Sequence, residues 1–205
     1  MSIENELSAF YQRNGFGEVL GARPRTVQVY TGCMLVPLPN IETRRRFLKY
    51  HDLHHLITGY SIGRIGEGEV SAWELGTGSM LINPTLGVMN LIALSTGLAL
   101  EPARMWRAFK RGCISKNLYS ADLRNEVDVG RWQDVAALRQ RTLGVKPAPA
   151  NSALRAMEFG CYSLSAGAIH VCLAIPALIT RYVTDVLLGK SLFQAAKPVK
   201  RTDLF

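Results

Sequence analysis

The pattern of hydrophobic and polar residues is helical along most of the chain. Apolar residues recur at three- and four-residue intervals and predict helices from Ile3 to Arg13, from Ile41 to about Thr58 and from Arg131 to Leu143. The apolar run TVQVYTGCMLV fits either a strand or a buried helical segment, because periodicity does not separate the two over so short a stretch. As a whole, the pattern predicts an all-α protein folded as a single-domain helical bundle.

Capping residues predict the starts of three helices. Asn40 is a good N-cap for the helix that begins at Ile41. Asn83 precedes a proline at the first helical position and predicts a helix that runs to about Leu100, and the pair Glu101-Pro102 opens the next one.

Glycines interrupt the pattern after the second predicted helix, at positions 59, 63, 66 and 68. A glycine inside a helix costs up to about 1 kcal/mol relative to alanine. We therefore expect a glycine-rich bend after Tyr60, with helical character resuming from Glu69 to Leu75.

Composition divides the chain into a core, a linker and a tail. Residues 1–145 form the expected helical core, the stretch KPAPANS at 146–152 is a Pro-rich linker, and residues 153–205 form an apolar helix and a basic tail, packed on the core or on a membrane. The uncharged run from Phe159 to Thr180 reaches the ~20 residues that cross a bilayer, but it contains His170 and Pro176. A transmembrane helix and a buried or interfacial helix are both open at this point.

Net charge and cysteine content limit the partners and the cellular compartment that the protein is expected to have. The net charge of +8 favours anionic partners. Aromatic residues make up 8% of the chain and no nucleic-acid readout motif is present, so we expect no nucleic acid and favour an anionic membrane surface or an acidic small molecule. The four cysteines are scattered, without a C-x-x-C pair or a recognisable secretory leader, which favours the reducing cytoplasm.

Three of the four histidines and one aspartate lie within residues 51–55. On a helix, His51 and His55 are one turn apart on the same side, with Asp52 on the adjacent stripe. Because buried charged groups cost several kcal/mol unless they are paired or bound to a metal, a divalent cation would account for the cluster. Glu67, returned by the bend, can add a carboxylate oxygen and leave a coordination position open for water or substrate.

Each of these residues also has a structural interpretation. Two histidines four residues apart on a helix often occur by chance. His54 points away from the pair on the helical wheel and is expected at the surface or behind the ligands. His170, in its apolar run, is expected to be a hydrogen-bonded core histidine.

Three known motifs share some of the same letters, and none fits. The zincin motif H-E-x-x-H needs a glutamate as general base where Asp52 stands. The HD phosphohydrolases need a histidine upstream of the His-Asp pair, but His51 is the first histidine of the chain. Membrane desaturases carry several H-x-x-H-H boxes, and only His170 is left to build them.

The order of these residues resembles the signature of the coenzyme Q biosynthesis protein 4 family, His-Asp-x-x-His followed after eleven residues by Glu. Here the signature falls on His51, Asp52, His55 and Glu67. The resemblance covers Ile41 to Val145, about half of the chain. Its further matches are Gly59, Gly66-Glu67, Trp73-Glu74, Gly112, Leu118-Tyr119, Trp132 and the stretch LRQRTLGV that ends at Val145. The N-terminal part is short for the family, and the C-terminal apolar helix has no match in it.

The resemblance implies an all-helical fold and one divalent metal ion, usually zinc, held by His51, Asp52, His55 and Glu67. Asp52 and Glu67 are the carboxylates expected to act in catalysis, and Asp52 suits the role of ligand or of proton acceptor. The implied function is ubiquinone biosynthesis. It comprises metal-dependent oxidative decarboxylation of the ring of a polyprenylated hydroxybenzoate, organisation of the other biosynthetic proteins, or both.

The implied partners are a prenylated aromatic or other isoprenoid lipid, an anionic membrane surface and other quinone-biosynthesis proteins. The implied location is cytoplasmic and peripheral, on the inner face of a membrane. Two alternatives stay open at this point: a non-catalytic prenyl-lipid-binding scaffold whose metal braces the helices, and a paralogue acting in another isoprenoid or aromatic pathway. A homodimer is compatible with the implied function and with both alternatives.

Overall fold

The computed structural model describes residues 2–14, 25–31, 34–187 and 189. In this part of the chain the elements follow in the order α1 (Ile3–Arg13), β1 (Thr26–Thr31), β2 (Met34–Pro39), α2 (Glu42–Thr58), α3 (Arg64–Thr77), α4 (Ser79–Ile82), α5 (Pro84–Leu100), α6 (Pro102–Cys113), α7 (Ala121–Asp128), α8 (Val135–Thr142) and α9 (Ser152–Leu187). The all-α, single-domain helical bundle is confirmed. Most of the segment NGFGEVLGARPR and the basic residues of the tail, Lys190, Lys197, Lys200 and Arg201, lie outside the described residues.

The apolar run TVQVYTGCMLV contributes to a two-stranded hairpin. Strands β1 and β2 pair antiparallel, with Thr26 opposite Pro39 and Thr31 opposite Met34. β-Branched and aromatic residues favour the extended backbone of β1. The hairpin lies against the helices, because β1 contacts α5 and β2 contacts α9.

Two helices near the end of the core differ from the prediction. Helix α7 was not predicted, since an eight-residue helix with only two buried residues, Leu123 and Val127, has too weak a periodic signal. Helix α8 begins at Val135 rather than at Arg131, because the Asp134 carboxylate accepts a hydrogen bond from the first turn and fixes the start there.

One of the predicted caps is confirmed and another is wrong. The Asn83 side chain accepts hydrogen bonds from the N–H groups of Thr85 and Leu86, at 3.0 and 3.2 Å, and α5 begins at the following proline. Asn40 does not cap α2, which begins one residue later than predicted, after Ile41. The Asn40 amide oxygen instead accepts a hydrogen bond from a side chain within α2.

Helix α3 lies at the centre of the bundle, between α5 and α6. Its Trp73 is fully buried together with Phe109 of α6. The two helices come unusually close at a pair of glycines: a Cβ atom on Gly76 would lie 2.3 Å from the Phe109 carbonyl oxygen, and one on Gly112 would lie 2.1 Å from the Trp73 carbonyl oxygen. This close packing holds α3 rigidly in place and so positions the acidic residues that α3 carries.

Helix α9 lies along the outside of the bundle. Its 36 residues span about 54 Å at 1.5 Å per residue, and it packs mainly on α5. Between Phe159 and Thr180 only Ala166 and Ala177 are buried, and large apolar side chains such as Leu164 remain exposed. The exposure rules out a fully buried core helix, one of the alternatives open from the sequence.

Candidate metal centre

A helix, a tight turn and a second helix bring the predicted ligands together. Helix α2 ends at Thr58 and is followed by Gly59, whose φ of 79° lies in the left-handed region that favours glycine. The turn then folds back closely, because a Cβ atom on Gly66 would lie only 1.9 Å from the carbonyl oxygen of Ser61. Helix α3 already begins at Arg64, so the bend is shorter than predicted, and Gly66 and Gly68 belong to α3. Glu67 therefore faces α2 from the first turn of α3.

His51, His55 and Glu67 converge on one point. One ligand atom from each of the three lies within 4.8 Å of the other two. The Nε2 atom of His51 is 3.3 Å from Glu67 Oε2, and the Nε2 atom of His55 is 3.6 Å from Glu67 Oε1. The predicted pair of imidazoles and one predicted carboxylate thus meet at the junction of α2 and α3.

The hydrogen bonds of both imidazoles leave their Nε2 atoms directed at the same carboxylate. His51 donates from Nδ1 to Glu74 Oε1 at 2.9 Å, and His55 donates from Nδ1 to the carbonyl oxygen of Tyr60 at 3.0 Å. The buried Nε2 atom of His55 has no hydrogen-bond partner among the described residues. Two ring nitrogens with fixed orientation and one unpartnered buried nitrogen are what a metal site requires.

The separations between these atoms suit a tetrahedral cation. Zinc binds histidine nitrogen and carboxylate oxygen at about 2.0–2.2 Å, so two of its ligands lie about 3.4 Å apart. The separations are 3.3 Å from His51 Nε2 to Glu67 Oε2 and 3.6 Å from His55 Nε2 to Glu67 Oε1, close to that value, and the three ligand atoms lie within 4.8 Å of one another. The residues present therefore fit a divalent metal ion.

Glu74 is the most important residue that the sequence reasoning missed. Its side chain is fully buried, and Oε1 accepts hydrogen bonds from His51, from His54 at 2.6 Å and from the Tyr119 hydroxyl at 2.8 Å. Seven residues separate Glu74 from Glu67, so both carboxylates lie on the same face of α3. That spacing, and the match at Trp73-Glu74, were the signals that could have identified it.

His54 is buried rather than at the surface. Its Nε2 atom accepts a hydrogen bond from the Leu118 backbone N–H at 2.9 Å, so Nδ1 carries the proton that it donates to Glu74. The prediction that His54 lies at the surface is therefore wrong. Its position behind His51 agrees with the other predicted position, behind the ligands. The helical wheel could not show this, because Trp73 and Tyr119 cover this side of α2.

Asp52 lies beside the convergent group without belonging to it. Its Oδ2 atom accepts a hydrogen bond from the Tyr11 hydroxyl at 2.9 Å. The neighbouring Phe10 ring stacks against His55, with centroids 6.3 Å apart. Helix α1 therefore covers the site, and neither Tyr11 nor Phe10 carried a motif that could have indicated this role. The ligand and catalytic roles of Asp52 stay predictions.

Burial and neighbouring charges shift the pKa values of the cluster in opposite directions. Burial alone raises the pKa of Glu67 and Glu74, but the imidazoles around them outweigh it and hold both pKa values well below the usual range. Burial raises the pKa of Asp52, although His51 and His55 oppose the shift. Glu67 and Glu74 are thus anionic, as a site for a cation needs.

Half-buried Arg44 contributes positive charge to the same region. It lies seven residues before His51, on the same face of α2. Burial lowers its pKa, while the carboxylates of Asp52 and Glu67 partly counteract that shift. His170 lies elsewhere, half-buried on α9, with its Nδ1 atom 3.4 Å from Ser95 Oγ.

Comparisons with known proteins identify no relative. No protein-family model matches the chain, no curated protein matches it, and no solved structure matches it.

Proposed function

We propose that the protein is a metal-dependent enzyme whose active centre lies between α2 and α3. The observation that carries this proposal is the pair of imidazoles whose Nδ1 atoms are engaged elsewhere and whose Nε2 atoms both face Glu67. A bound metal ion would also give the buried Nε2 atom of His55 the partner that it lacks among the described residues, and an unsatisfied buried polar group costs about 1–3 kcal/mol.

His51, His55 and Glu67 would hold the metal ion, and the other residues would act around it. When bound, a divalent cation polarises a carboxylate or phenolic oxygen and stabilises developing negative charge. Glu74 orients the His51 ring, and Asp52, fixed by Tyr11, is placed to accept or return a proton. Glu67, adjacent to the open position, is the second carboxylate proposed to take part in catalysis.

We propose that Arg44 binds an anionic substrate group at the same site. Arg44 lies on the face of α2 that also carries both imidazoles, and its side chain ends in a positively charged guanidinium group. Arginine binds carboxylates through two parallel hydrogen bonds, which fixes orientation as well as charge. An acidic substrate that presents its carboxylate to Arg44 would place the reacting carbon near the metal.

The substrate class we propose follows from the resemblance to the coenzyme Q biosynthesis protein 4 family. It is the ring of a polyprenylated hydroxybenzoate, which loses its carboxylate and gains a hydroxyl at the same carbon during ubiquinone biosynthesis. The carboxylate leaves as carbon dioxide and the ring carbon is oxidised, so the reaction consumes molecular oxygen as the oxidant and source of the hydroxyl. Zinc does not change oxidation state, so activation of oxygen needs electrons from the substrate or a redox-active native metal such as iron. The residues that support this assignment are the complete signature at positions 51, 52, 55 and 67.

The test combines metal content with quinone synthesis. His51→Ala, His55→Ala and Glu67→Ala should each lose bound metal and fail to restore ubiquinone in a strain that lacks the activity. His170→Ala, which changes a histidine far from the cluster, should retain both. Variants that lose metal and still restore ubiquinone would contradict the proposed enzyme.

A prenyl-lipid-binding scaffold is the second candidate, and a specific groove favours it. The groove has a volume of about 310 Å³ and lies between α5 and α9, lined by Val88, Ile92, Ala168, Ile169, Cys172 and Leu173. Its lining is entirely apolar, as a hydrocarbon chain requires. Purified protein that converts the aromatic acid with metal alone would exclude a purely scaffolding role.

We further propose that α9 lies in the plane of a membrane interface, on the cytoplasmic side. The segment Ser152–Val183 is long and apolar enough to cross a bilayer by length and composition. However, α9 packs on α5, and α5 packs on the charged, metal-binding α3. Because charged groups are costly within a bilayer, side-on burial of the exposed face suits this packing better than spanning.

A further inference from the structure

A second cavity lies away from the metal centre, at the opposite end of α3. It has a volume of about 290 Å³ and opens between the C-terminus of α3, the loop after α6 and the start of α7. Thr77 lines it, ten residues and therefore about 15 Å along α3 from Glu67. Its volume is at the small end of the range for ligand pockets, about 300–1,000 Å³.

Positive charge dominates the lining of this cavity. Lys116, Arg141 and Lys146 all line it, and Asp122 is the one carboxylate among its lining residues. Asp122 is exposed, whereas the three basic residues are half-buried. An excess of two positive charges around a small cavity attracts a multiply charged anion.

Backbone hydrogen bonds hold two of the cations in place. The Lys116 N–H donates to the Thr142 carbonyl at 2.8 Å, and the Lys146 N–H donates to the Ile114 carbonyl at 2.9 Å. The two bonds clamp residues 114–116 against residues 142–146. The lysines are therefore presented by a rigid pair of segments and not by free loops.

Neither lysine of the cavity forms an ion pair with a described residue, whereas Arg141 pairs with Glu126. Burial lowers the pKa of Lys146, and the positive charges of Arg155 and Lys116 lower it further. Its ammonium group donates to the Thr77 carbonyl at 3.3 Å, a neutral acceptor. Arg141 lies 3.9 Å from its nearest carboxylate partner, Glu126, and keeps 41% of its side chain exposed.

Neutral donors complete the lining. Ser120 precedes α7, and its hydroxyl makes no capping bond to that helix. The first turn of α7 also borders the cavity, because Asp122 and Leu123 line it. A hydroxyl donor next to lysine and arginine is a combination that binds phosphate oxygens.

We propose that this cavity binds a phosphate group, either from a soluble phosphorylated compound or from the headgroup of a lipid. The binding site is separate from the metal centre and does not depend on it. Lys116 and Lys146 provide the fixed charges, Arg141 closes the open side, and Ser120 donates a hydrogen bond.

Calorimetric titration of the full chain with inorganic pyrophosphate tests the proposal, in the presence of a chelator so that no metal bridges the anion. Lys116→Gln/Lys146→Gln should weaken binding by about tenfold or more, since it removes two charge-assisted contacts. Lys49→Gln/Lys110→Gln removes the same charge from surface lysines outside the cavity and should leave the affinity within about twofold. Lys116→Arg/Lys146→Arg keeps both charges and should retain binding, which separates lost contacts from lost folding.

Equal weakening in the two glutamine variants, or no binding by the unaltered protein at millimolar pyrophosphate, would overturn the proposal. Flotation with vesicles of phosphatidylcholine, with and without phosphatidic acid, identifies the source of the phosphate. A cavity variant that loses the phosphatidic acid dependence points to a lipid headgroup. One that loses only pyrophosphate binding points to a soluble compound. His51→Ala should bind pyrophosphate normally, so failure of the metal centre and of this cavity are distinguishable.

Discussion

Two ring nitrogens decide whether the cluster at positions 51–67 is a metal site. Each imidazole uses Nδ1 for a hydrogen bond to a group other than Glu67. The Nε2 atom of His51 is hydrogen-bonded to Glu67 Oε2 at 3.3 Å, and the Nε2 atom of His55 lies 3.6 Å from Glu67 Oε1. A metal ion bound between these side chains would explain why they cluster around the Nε2 atom of His55, which has no hydrogen bond. An aligned pair of histidines on a helix is common, but two Nε2 atoms aimed at one carboxylate are not expected from packing alone.

The first prediction concerns metal binding by His55. His55→Ala should reduce the metal bound after purification to background, because the two remaining ligands do not hold a cation tightly. His170→Ala, on α9, should leave the metal content unchanged. Elemental analysis of both variants, purified without added metal, gives the result, and a normal metal content in His55→Ala would disprove the site.

The second prediction concerns the positioning of His51 by Glu74. Glu74→Gln weakens the acceptor that orients the His51 ring and should reduce metal affinity by about 10–100-fold. Glu69→Gln changes a carboxylate on the same helix that pairs with Arg104 away from the cluster, and should not affect metal affinity. The measurement is a competitive titration with a chromophoric chelator. Equal affinity in the two variants would show that Glu74 has no positioning role, and a Glu74→Asp variant with partial affinity would support it.

At the scale of elements, the contact between α3 and α6 supports the site. Gly76 and Gly112 allow the backbones of these helices to touch, which leaves no space for a methyl group. Both cluster carboxylates lie on α3, so a shift of this helix would move Glu67 and Glu74 together relative to α2. The precision of the candidate metal centre thus depends on packing on the other side of the helix.

The third prediction tests that contact. Gly112→Ala places a methyl group 2.1 Å from a backbone oxygen and should lower the free energy of unfolding by about 1–3 kcal/mol. Gly160→Ala, in α9, places its methyl group where no atom lies within 4 Å and should raise that free energy by about 0.5–1 kcal/mol. Denaturant unfolding measures both. A neutral Gly112→Ala would mean that α6 can move away from α3 without cost.

At the scale of the whole molecule, α9 gives the protein two unlike sides. The exposed apolar residues Leu164, Val171, Ile175 and Ile179 lie on one side of α9, within about 80° of its circumference at 100° per residue. A lipid surface would cover this side of the helix in the interfacial arrangement proposed above.

The fourth prediction tests membrane binding by this face. Leu164→Glu/Ile175→Glu should abolish co-sedimentation with anionic vesicles, since both side chains would have to enter the acyl region, at 77% and 67% exposure in the protein. Val129→Glu changes an equally exposed apolar residue after α7 and should bind as the unaltered protein does. A helix in the interface should be released by alkaline carbonate. Resistance to carbonate would instead indicate that α9 spans the bilayer, and vesicle binding by the double variant would exclude the face from the interaction.

Local signals in the sequence were sufficient for most helices and for the main ligands. Asn83 followed by proline defined the start of α5, because a cap and a proline act within a single turn. The spacing of His51 and His55 put both imidazoles on one side of α2 for the same reason. Glu67 was predicted by its position in the family signature that the sequence resembles and by the glycine bend, and the structure brings it to the imidazoles.

Tertiary structure alone decided which polar groups surround those ligands. Tyr11 and Glu74 are 41 and 23 residues away from the side chains that they hydrogen-bond, so no local pattern could pair them. His54 is buried because Trp73 and Tyr119 cover it, although its place on the wheel suggested the surface. Sequence by itself determined the start of α5 and which residues of α2 share a face, since these depend on neighbours within a turn. The orientation of each ring nitrogen, and hence the chemistry of the site, depends on contacts between distant helices that exist only in the folded chain.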